Sequence, residues 1–137
     1  MFISETNIRV RYGETDQMGY VYYGNYALYY EVGRVEALRK LGMSYFELEE
    51  FGVMMPVVKM ECNYVKAAKY DDLLTVKVII DKMPGIRFHF YYEISNASGV
   101  LINKGETTLV FIDMKTNKVC KCPQVLEKKM EPFFTNG

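Results

Sequence analysis

Residues 25–41, NYALYYEVGRVEALRKL, decide the architecture, because the apolar period there is helical while the flanking stretches alternate like strands. Leu28, Val32, Val35 and Leu38 follow at spacings of four, three and three, one stripe of a 3.6-residue repeat. Tyr26, Tyr29, Tyr30, Ala37 and Leu41 make much of the remaining surface apolar, and a helix apolar nearly all round is usually buried. Gly33 in its middle costs about 1 kcal/mol of helix propensity, which predicts close approach by another backbone. Gly42 is the expected stop, and Ser44 with Glu47 three residues on opens a short second helix over 44–51.

Outward from this helix the period falls to two. Residues 5–12 (ETNIRVRY) alternate, with Ile8, Val10 and Tyr12 predicted on one face. On the other side, residues 58–64 are apolar at even positions, as are Leu74 to Ile80 and Phe88 to Ile94. Pro84-Gly85 and Asn96-Ala97-Ser98-Gly99 read as turns. Residues 100–113 become apolar on both faces at Leu109 to Ile112, as a central strand would. A turn at Lys115-Thr116-Asn117, a short strand from Val119 to Cys122 and a helix or coil from Pro123 complete the chain. The order is strand, long buried helix, then four or five strands. One antiparallel sheet wrapped around one helix, an α+β domain over 1–137, satisfies it.

Composition narrows the function classes. The chain has 137 residues, 17 basic and 17 acidic side chains, three cysteines and one histidine. Zero formal charge gives no electrostatic footprint for nucleic acid or an anionic membrane surface. The beginning, Met1-Phe2-Ile3-Ser4-Glu5, lacks the basic flank and apolar run of a secretory signal. No stretch approaches the roughly 20 apolar residues that span a bilayer. An odd cysteine count suits a reducing compartment, so a cytoplasmic protein is expected. A single histidine argues against Ser-His-Asp and Cys-His hydrolases and against histidine-bearing metal sites. His89 alternates with Arg87, Tyr91 and Glu93 on the more polar strand face and reads as a surface or interface residue. Cys120-Lys121-Cys122 has the wrong spacing for a zinc knuckle, so no metal is expected.

Chemistry concentrates in Arg9-Val10-Arg11-Tyr12-Gly13-Glu14-Thr15-Asp16-Gln17-Met18-Gly19-Tyr20-Val21-Tyr22-Tyr23-Gly24-Asn25-Tyr26. It puts a carboxylate in a glycine-flanked loop just ahead of a helix start. The first amides of a helix lack intrahelical partners and sit at the positive end of its dipole. Acyl transfer needs that pairing: a carboxylate that attacks or activates water, and donors aimed at the developing oxyanion. A lone loop Asp is, by contrast, most often a turn residue or helix cap.

The segment resembles the 4-hydroxybenzoyl-CoA thioesterase family of hotdog proteins, which includes short bacterial acyl-CoA thioesterases. The resemblance rests on Thr15-Asp16, Gly19-Tyr20-Val21-Tyr22-Tyr23 and Tyr26, and extends through Val65-Lys66-Ala67-Ala68-Lys69-Tyr70-Asp71-Asp72-Leu73 to the strand before Asp113. It implies the hotdog fold, with the sheet wrapped around one long central helix. It also implies an acyl-CoA thioesterase in which Asp16 is the catalytic carboxylate and the Tyr23 backbone amide polarises the thioester carbonyl. Some members carry histidine at the position of Tyr23; the backbone role survives that change and the imidazole role does not. Gly24 and Met18 leave the acyl preference open.

The resemblance further implies a homodimer, with a homotetramer built from two such dimers also expected. Met54, Met55 and Val57 are either ordinary core residues or walls for an acyl tail, and in the family the matching segment comes from the partner subunit. Glu31, on the helix beyond Tyr23, either lines the site or pairs with Arg34 or Arg9. For the phosphates of coenzyme A, Lys66, Lys69, Lys82 and Arg87 near strand ends are the candidates, against the ordinary reading of solvated surface charge. Tyr20, Tyr22 and Tyr23 either shape an acyl slot or simply pack. No cofactor is expected, coenzyme A being part of the substrate. Two other classes fit the same residues: a non-catalytic acyl-thioester binding protein, and a hotdog hydratase or an acyl-carrier-protein thioesterase.

Overall fold

The computed structural model describes residues 1–134. Strand β1 (Phe2–Arg9) leads through the loop into α1 (Tyr26–Lys40) and the short α2 (Tyr45–Glu50). Strands β2 (Val53–Met54), β3 (Val57–Tyr64), β4 (Leu73–Ile80), β5 (Arg87–Ser95), β6 (Leu101–Asp113) and β7 (Lys118–Cys120) follow, then α3 (Gln124–Met130). Every strand pairing is antiparallel, in the order β1-β4-β5-β6, with β3 on the far edge of β6. The 13-residue β6 is the central strand expected, flanked over Asn103 to Leu109 by β5 on one side and β3 on the other. The α+β hotdog arrangement is the one the sequence predicts. No helix is long and apolar enough to cross a membrane among the described residues.

The two sheet faces follow the period of two. Leu74, Val76, Val78 and Ile80 of β4 and Phe88, Phe90, Tyr92 and Ile94 of β5 are buried against α1. β1 starts earlier and stops sooner than 5–12: it pairs from Phe2 opposite Ile80 to Arg9 opposite Leu73. Val10 stays buried as expected, but Tyr12 is 78% exposed, because the chain closes into a 3₁₀ turn over Tyr12–Glu14.

The helix buries a different stripe from the aliphatic one. Leu28 and Val32 are exposed, whereas Tyr26, Tyr29, Tyr30, Gly33, Arg34, Ala37 and Leu38 face the sheet. Gly33 explains the choice, since it marks the close approach. A Cβ there would lie 2.7 Å from Val76 Cγ1 and 2.9 Å from Val78 Cγ2, so the neighbour is the β4 side chains rather than a backbone. Arg34 is tolerated inside because its guanidinium donates to Tyr45 Oη at 2.6 Å and Tyr92 Oη at 3.1 Å, satisfying a charge that burial would otherwise penalise. Tyr30 stacks on Tyr92 at 4.2 Å, and its hydroxyl donates to Asn103 Oδ1. Ser44 Oγ accepts from the Glu47 amide at 3.1 Å, starting α2 as its capping spacing predicts.

Candidate functional site

The loop between β1 and α1 is held by its own short-range chemistry. Arg11 and Glu14, three apart, close the 3₁₀ turn through the Arg11 amide (2.8 Å) and guanidinium (3.0 Å). The Glu14 carboxylate also accepts from Tyr29 Oη at 3.0 Å, and its carbonyl accepts from the Tyr22 amide and Asn25 Nδ2. One residue therefore staples the loop to the start of α1. Partial burial alone would raise this carboxyl, but the Arg11 and Tyr29 donors outweigh it and hold Glu14 below its ordinary 4.5.

A carboxyl whose folded value is depressed stabilises the fold above its unfolded value and loses the contribution as pH falls through the folded one. Glu14→Gln should therefore flatten the acid limb of the stability curve as pH falls below the ordinary carboxyl value of 4.5, read by thermal unfolding at each pH. An acid limb as steep as wild type would remove Glu14 from that role.

Asp16 follows within a tight turn. Its amide donates to the Tyr20 carbonyl at 2.8 Å, and the Gly19 amide donates back to the Asp16 carbonyl at 3.0 Å. Gly19 has φ +80, the left-handed conformation that glycine adopts without strain. Asp16 Oδ1 accepts from the Met18 amide at 2.9 Å and the Tyr20 amide at 3.2 Å. Oδ2 has no hydrogen-bond partner among the described residues. The turn thus fixes one oxygen and leaves the other available.

After Tyr22 the chain enters a 3₁₀ turn over Tyr23–Asn25 that runs straight into α1. The Tyr23 and Gly24 amides are the first of the helical run, where no carbonyl one turn earlier can accept them. Gly24 lies under the Tyr22 ring, 2.8 Å from where a Cβ would stand. Tyr22 and Tyr23 are both largely exposed, so packing does not account for them.

Asp16 and Tyr23 line one open cleft of about 330 Å³ with Met18, Tyr20, Tyr26, Tyr64 and Lys66. Tyr64, at the end of β3, stands edge-on to Tyr26 at 5.6 Å and to Tyr23 at 6.4 Å. The Cys62 side chain beside it, then burial, pushes the Tyr64 phenol up to about 12, so it keeps its proton and stays a donor. A larger hollow of about 500 Å³ on the outer sheet face, lined by Glu61, Tyr91 and Glu106 among others, has no helix start beside its carboxylates. Size does not choose the site, since a third open hollow of about 550 Å³ borders Asp16 from the side of Tyr12 and Gln17; the chemistry favours the smaller cleft.

The other expected residues scatter around this centre. Lys69 adjoins the cleft through a β-bridge with Tyr20, and its amide donates to Asp72. Lys82 and Arg87 lie at the β4–β5 turn, outside the cleft lining. Glu31 is exposed and pairs with neither expected arginine: Arg34 is occupied by Tyr45 and Tyr92, and Arg9 by Asp71. Met54 and Met55 border a crevice with Tyr45 and Leu48, and Val57 is 46% exposed on β3, so within one chain none reaches Asp16. His89 is half-buried beside Thr108 Oγ1 at 3.2 Å, away from the cleft. Glu14 and Tyr64 were not singled out by sequence; the Arg11-x-x-Glu14 spacing is a usable sign of the first, and nothing local announces the second.

Residues 10–130 match the thioesterase-like superfamily. YneP of Bacillus subtilis (strain 168), named provisionally as an acyl-CoA thioesterase, is 36% identical over 118 residues, covering 86% of each chain. The acyl-CoA thioester hydrolase YbgC of Escherichia coli O157:H7 is 36% identical over 127 residues, 93% of this chain and 92% of that one. Among solved structures, a DHNA-CoA thioesterase from Staphylococcus aureus superposes with a TM-score of 0.84 at 36% identity, over 98% of this chain and 85% of that one.

Proposed function

This chain belongs to the thioesterase-like superfamily, and from that membership we propose that it is an acyl-CoA thioester hydrolase working through Asp16. The observation that carries the assignment is the free Oδ2 of Asp16 in a cleft that Tyr23, the first residue of the helical run, also lines. The thioester carbonyl oxygen accepts from the Tyr23 amide, which stabilises the negative charge that develops as the carbonyl carbon is attacked. Either Asp16 Oδ2 bonds to that carbon, giving a mixed anhydride that water then opens, or Oδ2 takes a proton from water and hydroxide adds. In both routes the C–S bond breaks and coenzyme A leaves as thiolate, a group that needs little acid help. Water is the only co-reactant, so we assign no cofactor. Lys66 on the rim and Lys69 beside it would meet the phosphates, and Tyr20, Tyr23 and Tyr26 the acyl group.

Thiol release from a panel of short, long and aromatic acyl-CoAs tests this reading. Release from at least one supports it, and the best substrate names the acyl class. Release only from the same acyl groups on acyl carrier protein would replace coenzyme A with that carrier, and tight binding without release from either would make the chain a binding protein.

We further propose that the working unit is a dimer joined through β3. One edge of β3 pairs with β6, and its other edge pairs with no strand among the described residues. Val58 is exposed at its bulge, and Met60 and Tyr64 are exposed on the face that Cys62 turns to Tyr30. An unpaired eight-residue edge bearing apolar side chains needs covering, and a second copy covers it while bringing Val57 towards its neighbour's cleft. Met60→Asp, which faces two like charges across such a seam, should weaken the dimer by about tenfold or more and lower thiol release with it. Sedimentation of both proteins checks this, and an unchanged dimer would move the interface elsewhere.

A further inference from the structure

We propose that Tyr64 is a positioning residue for the reaction, its phenol holding the Tyr23–Gly24 peptide so that the Gly24 amide stands as a second donor beside the Tyr23 amide that takes the thioester carbonyl; this rests on the assignment of the cleft made above. Tyr64 Oη donates to the Tyr23 carbonyl oxygen at 3.3 Å, across 41 residues of sequence. That carbonyl belongs to the Tyr23–Gly24 peptide, whose N–H is the second of the two unpaired amides. A hydrogen bond accepted at a carbonyl polarises its peptide and strengthens the N–H as a donor. It also resists rotation of the peptide plane, and oxyanion donors act only when aimed beforehand.

Nothing within the loop does this job. The Glu14 bonds end at Tyr22 and Asn25, on either side of the Tyr23–Gly24 peptide. Tyr64 reaches that peptide from β3, a separate element, and its ring is braced edge-on between Tyr23 and Tyr26. Gly24 has no side chain to fix its own backbone, so an outside brace has more to hold there than at any neighbouring residue. Because β3 is also the free edge of the sheet, the brace ties the aim of the amides to the strand a second copy would cover.

Tyr64→Phe keeps the ring and both aromatic contacts and deletes only the hydroxyl. With the best acyl-CoA, kcat should fall about tenfold while KM changes little, since the lost donor acts on the developing oxyanion more than on the bound ground state. The carbonyl stretch of bound acyl-CoA supplies a second readout, taken in Asp16→Asn so that substrate persists. The band should shift to lower frequency than in free substrate, and the shift should shrink in the Asp16→Asn, Tyr64→Phe protein. A shift retained in full with the hydroxyl gone, or a loss confined to KM, overturns the role of Tyr64 alone. No shift in Asp16→Asn itself overturns the oxyanion reading, and this inference with it.

Discussion

Gly105→Ala is expected to unfold about 10 °C below wild type, a loss of about 3 kcal/mol. Gly105 sits on β6 between Cys62 of β3 and Tyr92 of β5. A Cβ there would run into the Glu61 backbone carbonyl and the Tyr30 hydroxyl, and neither can step aside cheaply. The carbonyl is part of the β3 backbone, and the hydroxyl is held by Asn103 and by Cys62 Sγ at 3.4 Å, under a ring stacked on Tyr92. Relief requires moving β3 or tilting Tyr30 out of its stack. Gly33→Ala is a milder case, because the obstruction is two valine side chains and the helix regains about 1 kcal/mol of propensity. Thermal unfolding of both variants beside wild type orders the two effects. A Gly105→Ala protein as stable as wild type would mean that the β3–β6 seam yields without loss.

Asp16→Asn should lower kcat by at least about a hundredfold while leaving the fold and acyl-CoA binding in place. The amide is nearly isosteric, and its oxygen can still accept from Met18 and Tyr20, so the turn survives. What changes is the free atom: an amide nitrogen at the Oδ2 position neither attacks a carbonyl carbon nor takes a proton from water. Both chemical routes therefore fail together, and the size of the loss does not depend on which operates. Calorimetric titration with the substrate or its free acid checks that binding remains. A fall accompanied by lost binding would instead make Asp16 a turn residue whose removal collapses the cleft.

The outline of the fold was legible because its periods are clean. β4 and β5 alternate without a break, and the long helix is bounded by glycine. The helix stripe misled for a physical reason: in a helix apolar nearly all round, aliphatic residues outrank tyrosine and arginine in hydrophobicity, yet the face that packs is the one with Gly33 at its centre. Hydrogen bonds among Tyr30, Arg34, Tyr45, Tyr92, Asn103 and Thr107 let large polar-tipped side chains go inside, and hydropathy carries no record of those partners. The end of β1 was misjudged because Tyr12 continues the alternation, while the Arg11–Glu14 closure that ends the strand is a pairing of side chains.

At the site, Asp16 and Tyr23 were legible from one contiguous segment, and the structure brings them to one cleft with Lys66. The pairing expected of Glu31 with Arg34 or Arg9 fails because Glu31 projects from the exposed flank of the helix, while Arg34 turns inward to Tyr45 and Tyr92. Tyr64 escaped because its bond to Tyr23 joins residues 41 apart, and no local pattern encodes such a contact.

Whether Asp16 carries the chemistry is decided by thiol release at saturating acyl-CoA from wild type and Asp16→Asn side by side, with circular dichroism and sedimentation recorded on both. Wild type should turn over, and the variant should fall at least about a hundredfold while keeping its fold and mass. Equal turnover by the two proteins, or none by wild type from any acyl-CoA, would contradict it.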